Sequence, residues 1–176
     1  FDLMGTKIKI KDSLNPKRFD NLKFDIKFEN VSFSYEVGKP IFKDFNMVIP
    51  FGSSIGIVGD TGSGKTTIAK LLLRFYDPLN GNIKIGEYNI KDIELKSLRD
   101  RVGIVTQESF LFDSSIKKNI SYGSENASFE EIKNAAEESQ SIEFINKFEK
   151  GFDTLIGERG QNLSGGQKQR ISIARA

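Results

Sequence analysis

The sequence predicts an α/β fold with a β-rich leading part and a helical closing part. Three patterns carry that expectation. Residues from Asp25 alternate β-branched and aromatic side chains, and a glycine-rich turn at 59–66 joins a short apolar run to a stretch of helical spacing. Beyond Gln107 the hydrophobic period becomes helical.

In chain order, Ile26, Phe28, Val31, Phe33 and Tyr35 fit a strand with an irregularity near Asn30, because one step is three residues instead of two. Gly38, Lys39 and Pro40 turn the chain into a second strand, Phe42 to Ile49, which Pro50 ends. Ser54 to Val58 is apolar on both sides, as a strand buried on both faces would be. Ile68, Leu71, Leu72 and Phe75 then fall at helical spacing and form one stripe that stops at Asp77-Pro78. Asn80-Gly81 predicts a tight turn into a strand over Asn82 to Ile85, and Val102 to Thr106 predicts another strand. Ser128 with Glu131 has the spacing of a capping box ahead of Ile132, Ala135 and Ala136. A further helical piece with Ile142, Ile145 and Phe148 stops at Gly151, and a last helix runs from about Gln167 to Ala176.

Composition limits the chemistry. With 28% charged and 38% hydrophobic residues the 176-residue chain is neither disordered nor fibrous in character. A formal charge of +2 gives no electrostatic ground for a nucleic-acid partner, and none is expected. There is no Cys, hence no disulfide, thiolate metal site or cysteine nucleophile, and no His to act as base, triad member or metal ligand. No apolar run reaches the length of a membrane span, and Phe1 to Ile10 lacks the order of a signal peptide. An opening at Phe1 points to a start further upstream. Thr6 to Lys23 carries Lys7, Lys9, Lys11, Lys17, Arg18 and Lys23 around Asn15-Pro16 and is expected as a solvated basic linker.

Gly59, Asp60, Thr61, Gly62, Ser63, Gly64, Lys65 and Thr66 match the Walker A phosphate loop, between the expected strand and helix that the motif requires. Glycines let the backbone wrap so that successive N–H groups aim at phosphate oxygens, and the following helix presents its positive end to the same place. Lys65 adds a mobile charge for the β and γ phosphates, and the Thr66 hydroxyl is placed to bind a bridging Mg²⁺. Alone, this loop leaves many nucleotide-using proteins open.

Leu163, Ser164, Gly165, Gly166 and Gln167, followed by Lys168-Gln169-Arg170, narrow the choice, since such a run arises by accident in about one chain in several thousand. It resembles the signature motif of the ATP-binding cassette (ABC) family, the nucleotide-binding domains of ABC transporters, and specifically those of exporter type, subfamily B. The resemblance extends from about Ile26 to the end of the chain. It implies a P-loop NTPase cassette with an antiparallel β subdomain, a RecA-like core and an α-helical signature subdomain. The implied organisation is a linker from a membrane domain over 1–24, the β subdomain and P-loop core over 25–108, and the helical subdomain over 109–176.

The resemblance also implies ATP and Mg²⁺ as ligands. Tyr35 would stack on adenine, as the family's A-loop aromatic does, and the stretch from Gly59 through Thr66 to Thr67 would hold the phosphates. Lys65 and Gln107 are the implied catalytic residues, with Thr66 and Gln107 toward Mg²⁺; Gln107 lies in Val105-Thr106-Gln107-Glu108, which resembles the Q-loop. Ser164, Gly165, Gly166 and Gln167 would serve the nucleotide of a second cassette in a head-to-tail dimer. Phe110 to Ile120 looks like the segment that receives the membrane domain, and Gly157-Glu158-Arg159-Gly160 is similar to the exporter X-loop. The domain would then sit at a membrane, on its ATP-containing side, as part of a transporter.

Walker B, with its acidic residues and the general base, follows Ala176 in the family pattern. Without it the residues given are expected to have an incomplete sheet with exposed apolar edges, to bind nucleotide weakly and to turn over little or none. The alternatives are a soluble ABC ATPase of the ribosome- or DNA-associated kind, and a non-hydrolysing regulatory module. Several hydrophobic stretches of about 20 residues upstream would favour the exporter.

Overall fold

The computed structural model describes residues 10–18, 23–124 and 126–176. The chain divides into two units, one reaching Val102 and the other beginning at Gly103. Phe1-Asp2-Leu3-Met4 and the linker cations Lys7 and Lys9 lie outside the described residues.

The first unit is built on four antiparallel strands, β1 (Ile26–Ser34), β2 (Pro40–Ile49), β3 (Asn80–Ile85) and β4 (Tyr88–Asn89), in the order β2-β1-β3-β4. β1 buries Phe28, Val31 and Phe33, and the three-residue step between the first two is a register shift against both neighbours. Asn30 takes the extra place with φ 48°, and its backbone N–H donates to Asn46 Oδ1 at 2.9 Å. The bulge therefore keeps both aromatic ends of β1 on the core face. Against that face pack Ile68 and Leu71 of α1 (Lys65–Leu72) and Leu98 of α2 (Leu95–Arg99), with Ile90 and Ile93 between.

Three expectations are corrected in this unit. Asn80-Gly81 does not turn the chain; it lies inside β3, where Gly81 has φ 79° and a Cβ would run into the carbonyls of Glu29 and Asn30 beside the bulge. Phe75 does not continue the helical stripe. The helix closes in a Schellman motif, with Phe75 N–H donating to Lys70 O at 2.9 Å, Arg74 N–H donating to Leu71 O at 3.0 Å, and Arg74 left-handed at φ 50°. Phe75 is thereby turned out and is half exposed. Ser54 to Val58 is no strand, and Ile55, Ile57 and Val58 are exposed. Among the described residues it has no ladder partner, and a run suited to burial on both faces cannot become a strand without one.

Residues 10–18 are tied down. Leu95 N–H donates to Asp12 Oδ1 at 2.7 Å, Lys17 N–H to Asp92 O at 2.8 Å, and Glu94 N–H to Lys17 O at 2.9 Å.

The second unit is helical, with α3 (Ile116–Ile120), α4 (Phe129–Glu138), α5 (Ile142–Ile145) and α6 (Gly165–Arg175). Its core gathers Leu111, Ile116, Ile132, Ile145, Ile156 and Ile171. The capping box forms as the spacing predicts, with Ser128 Oγ accepting from Glu131 N–H and the Glu131 carboxylate accepting from Ser128 N–H at 2.7 Å. α5 is shorter than its apolar spacing predicts, leaving Phe148 beyond it and a 3₁₀ turn over Gly151–Asp153. Val102 to Thr106, expected as a strand, forms none, with Ile104 and Val105 exposed; it too has no ladder partner among the described residues. No helix of the described residues is long and apolar enough to cross a membrane.

Gly81→Ala is expected to destabilise the chain by about 1–3 kcal/mol more than Gly38→Ala, measured by denaturant unfolding. Both positions have positive φ, yet nothing lies within 4 Å of a Cβ at Gly38, so the difference isolates the carbonyl clash. Hydrogen bonds from the Ser128 hydroxyl, then from its backbone, hold the Glu131 carboxyl below its ordinary range. A depressed folded value means that the cap contributes fully above the unfolded pKa and is lost as pH falls through the folded one. Amide protection in α4 should accordingly weaken on acidification below the usual glutamate range, and Glu131→Gln should flatten that dependence.

Candidate functional site

The glycine loop has the backbone its motif requires. Gly62 and Gly64 sit at φ 87° and 94°, and a Cβ on buried Gly64 would press on the ring of Phe42 at 2.7 Å and on Ile41 at 2.8 Å. Only glycine meets both demands. Gly64 is the N-cap of α1 and supplies no side-chain acceptor, so the first-turn amides keep their hydrogen-bonding capacity for an anion. Ser63 N–H donates to Asp60 O at 3.1 Å and closes the turn ahead of it. Lys65 Nζ donates to Gly59 O at 2.6 Å and Asp60 O at 2.7 Å, with Ser63 Oγ at 3.5 Å. The ammonium thus cinches the loop through its carbonyls. Asp60, Thr61, Gly62, Ser63 and Thr66 are exposed.

Tyr35 stands just past the end of β1 and is brought to the same helix. Its hydroxyl shares a hydrogen bond with Thr67 Oγ1 at 3.1 Å, and Thr67 itself is buried. Around the ring stand Phe33, with centroids 4.9 Å apart at 85°, and Tyr76, 5.1 Å apart at 84°, while Lys70 Nζ lies 5.3 Å from the centroid. Tyr35 remains 44% exposed.

In the second unit the signature run also begins a helix. Buried Leu163 anchors it, and Ser164 is the N-cap of α6 in a capping box with Gln167. Gln167 N–H donates to Ser164 Oγ at 3.3 Å, and Ser164 N–H donates to Gln167 Oε1 at 2.9 Å. Ser164, Gly165 and Gly166 are exposed. The helix behind them is fixed by buried Ile171, by Arg170 over the Phe144 ring at 5.2 Å, and by Arg175 donating to Phe110 O at 3.0 Å. Gly157–Gly160 leads into it through left-handed backbone at Gly157, Arg159 and Gly160. Gln107 lies exposed in a bend of this unit, where Thr106 Oγ1 donates to Glu108 O at 2.7 Å.

The segment from Phe110 to Ile120 presents aromatic surface on a rigid support. Phe112 stacks on Tyr122 with centroids 4.2 Å apart, Phe110 meets Phe112 edge-on, and Phe110 and Tyr122 are more than half exposed. Fully buried Asn119 fixes the loop beneath them: it accepts from Phe112 N–H at 2.9 Å and donates to Phe112 O at 3.0 Å and Ser115 O at 3.1 Å. The sequence reading includes Asn119 only as a member of the segment and passes over Tyr76 and Tyr122 altogether. A buried amide that mimics a strand partner leaves no periodicity to detect.

Two glycine-rich helix starts, one built round a lysine and one round a serine cap, define the class as a P-loop nucleotide-binding domain. The model of a family described as ABC transporter matches residues 42–176. ABC transporter B family member 21 of Arabidopsis thaliana is 48% identical over 91% of this chain and 12% of its own length. The mitochondrial iron-sulfur clusters transporter ATM1 of Saccharomyces cerevisiae is 43% identical over 99% of this chain and 26% of its own. A bacterial Atm1-family ABC exporter solved with ATP bound superimposes with a TM-score of 0.94 at 42% identity, covering 99% of this chain and 31% of that one. The chain belongs to the ABC transporter family, as a nucleotide-binding domain of the subfamily B and Atm1-like exporter type. It spans between 12% and 31% of the length of these relatives.

Because the Lys65 ammonium holds two loop carbonyls, Lys65→Ala should loosen the loop even without nucleotide. Charge-assisted hydrogen bonds of this kind contribute about 1.5 kcal/mol or more. Amide exchange over residues 60–64 is expected to rise about tenfold or more, read by mass spectrometry.

Proposed function

We propose that this domain binds MgATP and that, in its whole protein, ATP-driven pairing with a second cassette powers export of a substrate across a membrane. The observation that carries the reading is that one helix presents both ends of a nucleotide site. The uncapped amides and Lys65 stand at the start of α1, and Tyr35 is tethered to Thr67 in the same first turn.

In this reading Tyr35 supplies stacking area for adenine, and Lys65 exchanges its carbonyl partners for β and γ phosphate oxygens. The Thr66 hydroxyl, exposed in the first turn, would take Mg²⁺ jointly with the phosphates. No group of three or more acidic residues that could hold a metal by itself exists among the described residues, which fits an ion held mainly by its phosphates. Mg²⁺ supplies charge neutralisation between the phosphates. Hydrolysis would draw its water-activating carboxylate from the family's Walker B segment.

Ser164 serves the partner cassette's nucleotide with the right polarity. Its oxygen accepts from Gln167 N–H, so its O–H remains a donor for a phosphate oxygen, beside the exposed amides of Gly165 and Gly166. Each nucleotide then touches two cassettes, and loss of the γ phosphate removes a bridging contact; this differential contact is what can move a membrane domain. The aromatic surface of Phe110, Phe112 and Tyr122 is the proposed seat of that membrane domain, and the domain is accordingly placed at a membrane within a transporter.

Titration calorimetry of the chain with MgATP tests the reading. Lys65→Ala should weaken binding at least tenfold, since the lost contacts are charge-assisted. Unchanged affinity would remove the phosphate-loop assignment.

A further inference from the structure

We infer that Tyr76 is a positioning residue for the base platform, fixing the plane in which Tyr35 is offered to adenine; this rests on the reading of Tyr35 given above. A tyrosine held at its backbone and at its hydroxyl is still free to rotate about the axis joining the two, because χ2 of an aromatic ring is a soft torsion. The Thr67 bond at 3.1 Å pins the hydroxyl and leaves that rotation open. The ring plane must therefore be set by what lies against the ring. Phe33 and Tyr76 both meet it nearly perpendicularly, at 85° and 84°, and they also meet each other with centroids 5.6 Å apart at 62°. Three rings in mutual edge contact allow none to turn alone.

The two neighbours differ in kind. Phe33 lies two residues back, on β1, and is buried in the core, so it belongs to the fold. Tyr76 arrives from the bend after α1, is 41% exposed and is not itself a core residue, touching the core through its edge contact with Phe33. What brings it back beside Tyr35 is the left-handed turn at Arg74, and that turn is itself held. Arg74 is buried, with Nε donating to Asp77 Oδ1 at 3.0 Å and Nη2 to Lys11 O at 3.0 Å. The chain thus accepts a strained residue and a buried cation at the one place that aims an exposed tyrosine at the platform.

The test compares MgATP with tripolyphosphate, which shares the phosphate contacts and has no base, on the full chain and on Tyr76→Leu, Tyr76→Phe and Tyr35→Leu. Tyr76→Leu should weaken ATP binding about three- to tenfold while leaving tripolyphosphate affinity in place, and Tyr76→Phe, which keeps the ring, should match the parent for both. If Tyr35→Leu is selective against ATP and Tyr76→Leu is not, Tyr76 has no positioning role and the platform reading stands. Equal loss of both ligands in Tyr76→Leu overturns the inference as well, since it marks damage to the phosphate loop. If Tyr35→Leu itself shows no selectivity, the platform reading fails and Tyr76 falls with it.

Discussion

Left-handed backbone at both ends of one short helix governs what the first unit presents. At the start of α1, Gly64 turns the chain with φ 94° in a space closed by Phe42 and Ile41, where no Cβ fits. At its end Arg74 turns the chain again with φ 50°. The first turn leaves helix amides uncapped by any side chain and sets Lys65 over the loop; the second throws Phe75 outward and returns Tyr76 to Tyr35. An eight-residue helix rises only about 12 Å, so the two reversals act on neighbouring parts of the surface.

The second helix start solves the same problem with opposite means. α6 is capped, by Ser164 and Gln167, where α1 is not. Capping stabilises a helix that has little else at its exposed end, and it consumes the serine's acceptor and not its O–H. An uncapped start suits a loop that must admit several phosphate oxygens to its amides. A capped start suits a surface that must stay folded while exposed and offer donors to a ligand arriving from outside.

Features that depend on one or two residues at fixed spacing were legible beforehand: the irregularity in β1 from the step between Phe28 and Val31, the capping box of α4 from Ser128 and Glu131 three apart, and the glycine loop from its glycines. Features that depend on a distant partner were not. Ser54 to Val58 and Val102 to Thr106 have strand composition, but composition records a preference for burial between ladders and cannot supply the ladder. Asn80-Gly81 looked like a hairpin turn because its left-handed glycine has that use too; here the requirement comes from the carbonyls of another strand. Tyr76 was hidden because helical spacing was carried through Phe75, past the reversal at Arg74 that breaks it.

That reversal is costly for a residue with a side chain, by roughly 1–2 kcal/mol for the left-handed region. It persists because the side chain that suffers it also secures it. A guanidinium has five donors in a fixed plane, and Arg74 uses them on Asp77, on Ile93 O at 3.4 Å and on Lys11 O, while Arg99 donates to the Arg74 carbonyl at 3.0 Å. Asparagine or glycine would adopt the backbone with less strain and would lose those three ties together. One buried cation therefore fixes the end of α1, the approach of Tyr76, and the course of the segment at Lys11. The basic stretch read as solvated linker is held from Lys11 to Lys17 by such ties: Lys11 O accepts from Arg74, the Asp12 carboxylate accepts from Leu95 N–H, and the Lys17 backbone donates to Asp92 O and accepts from Glu94 N–H.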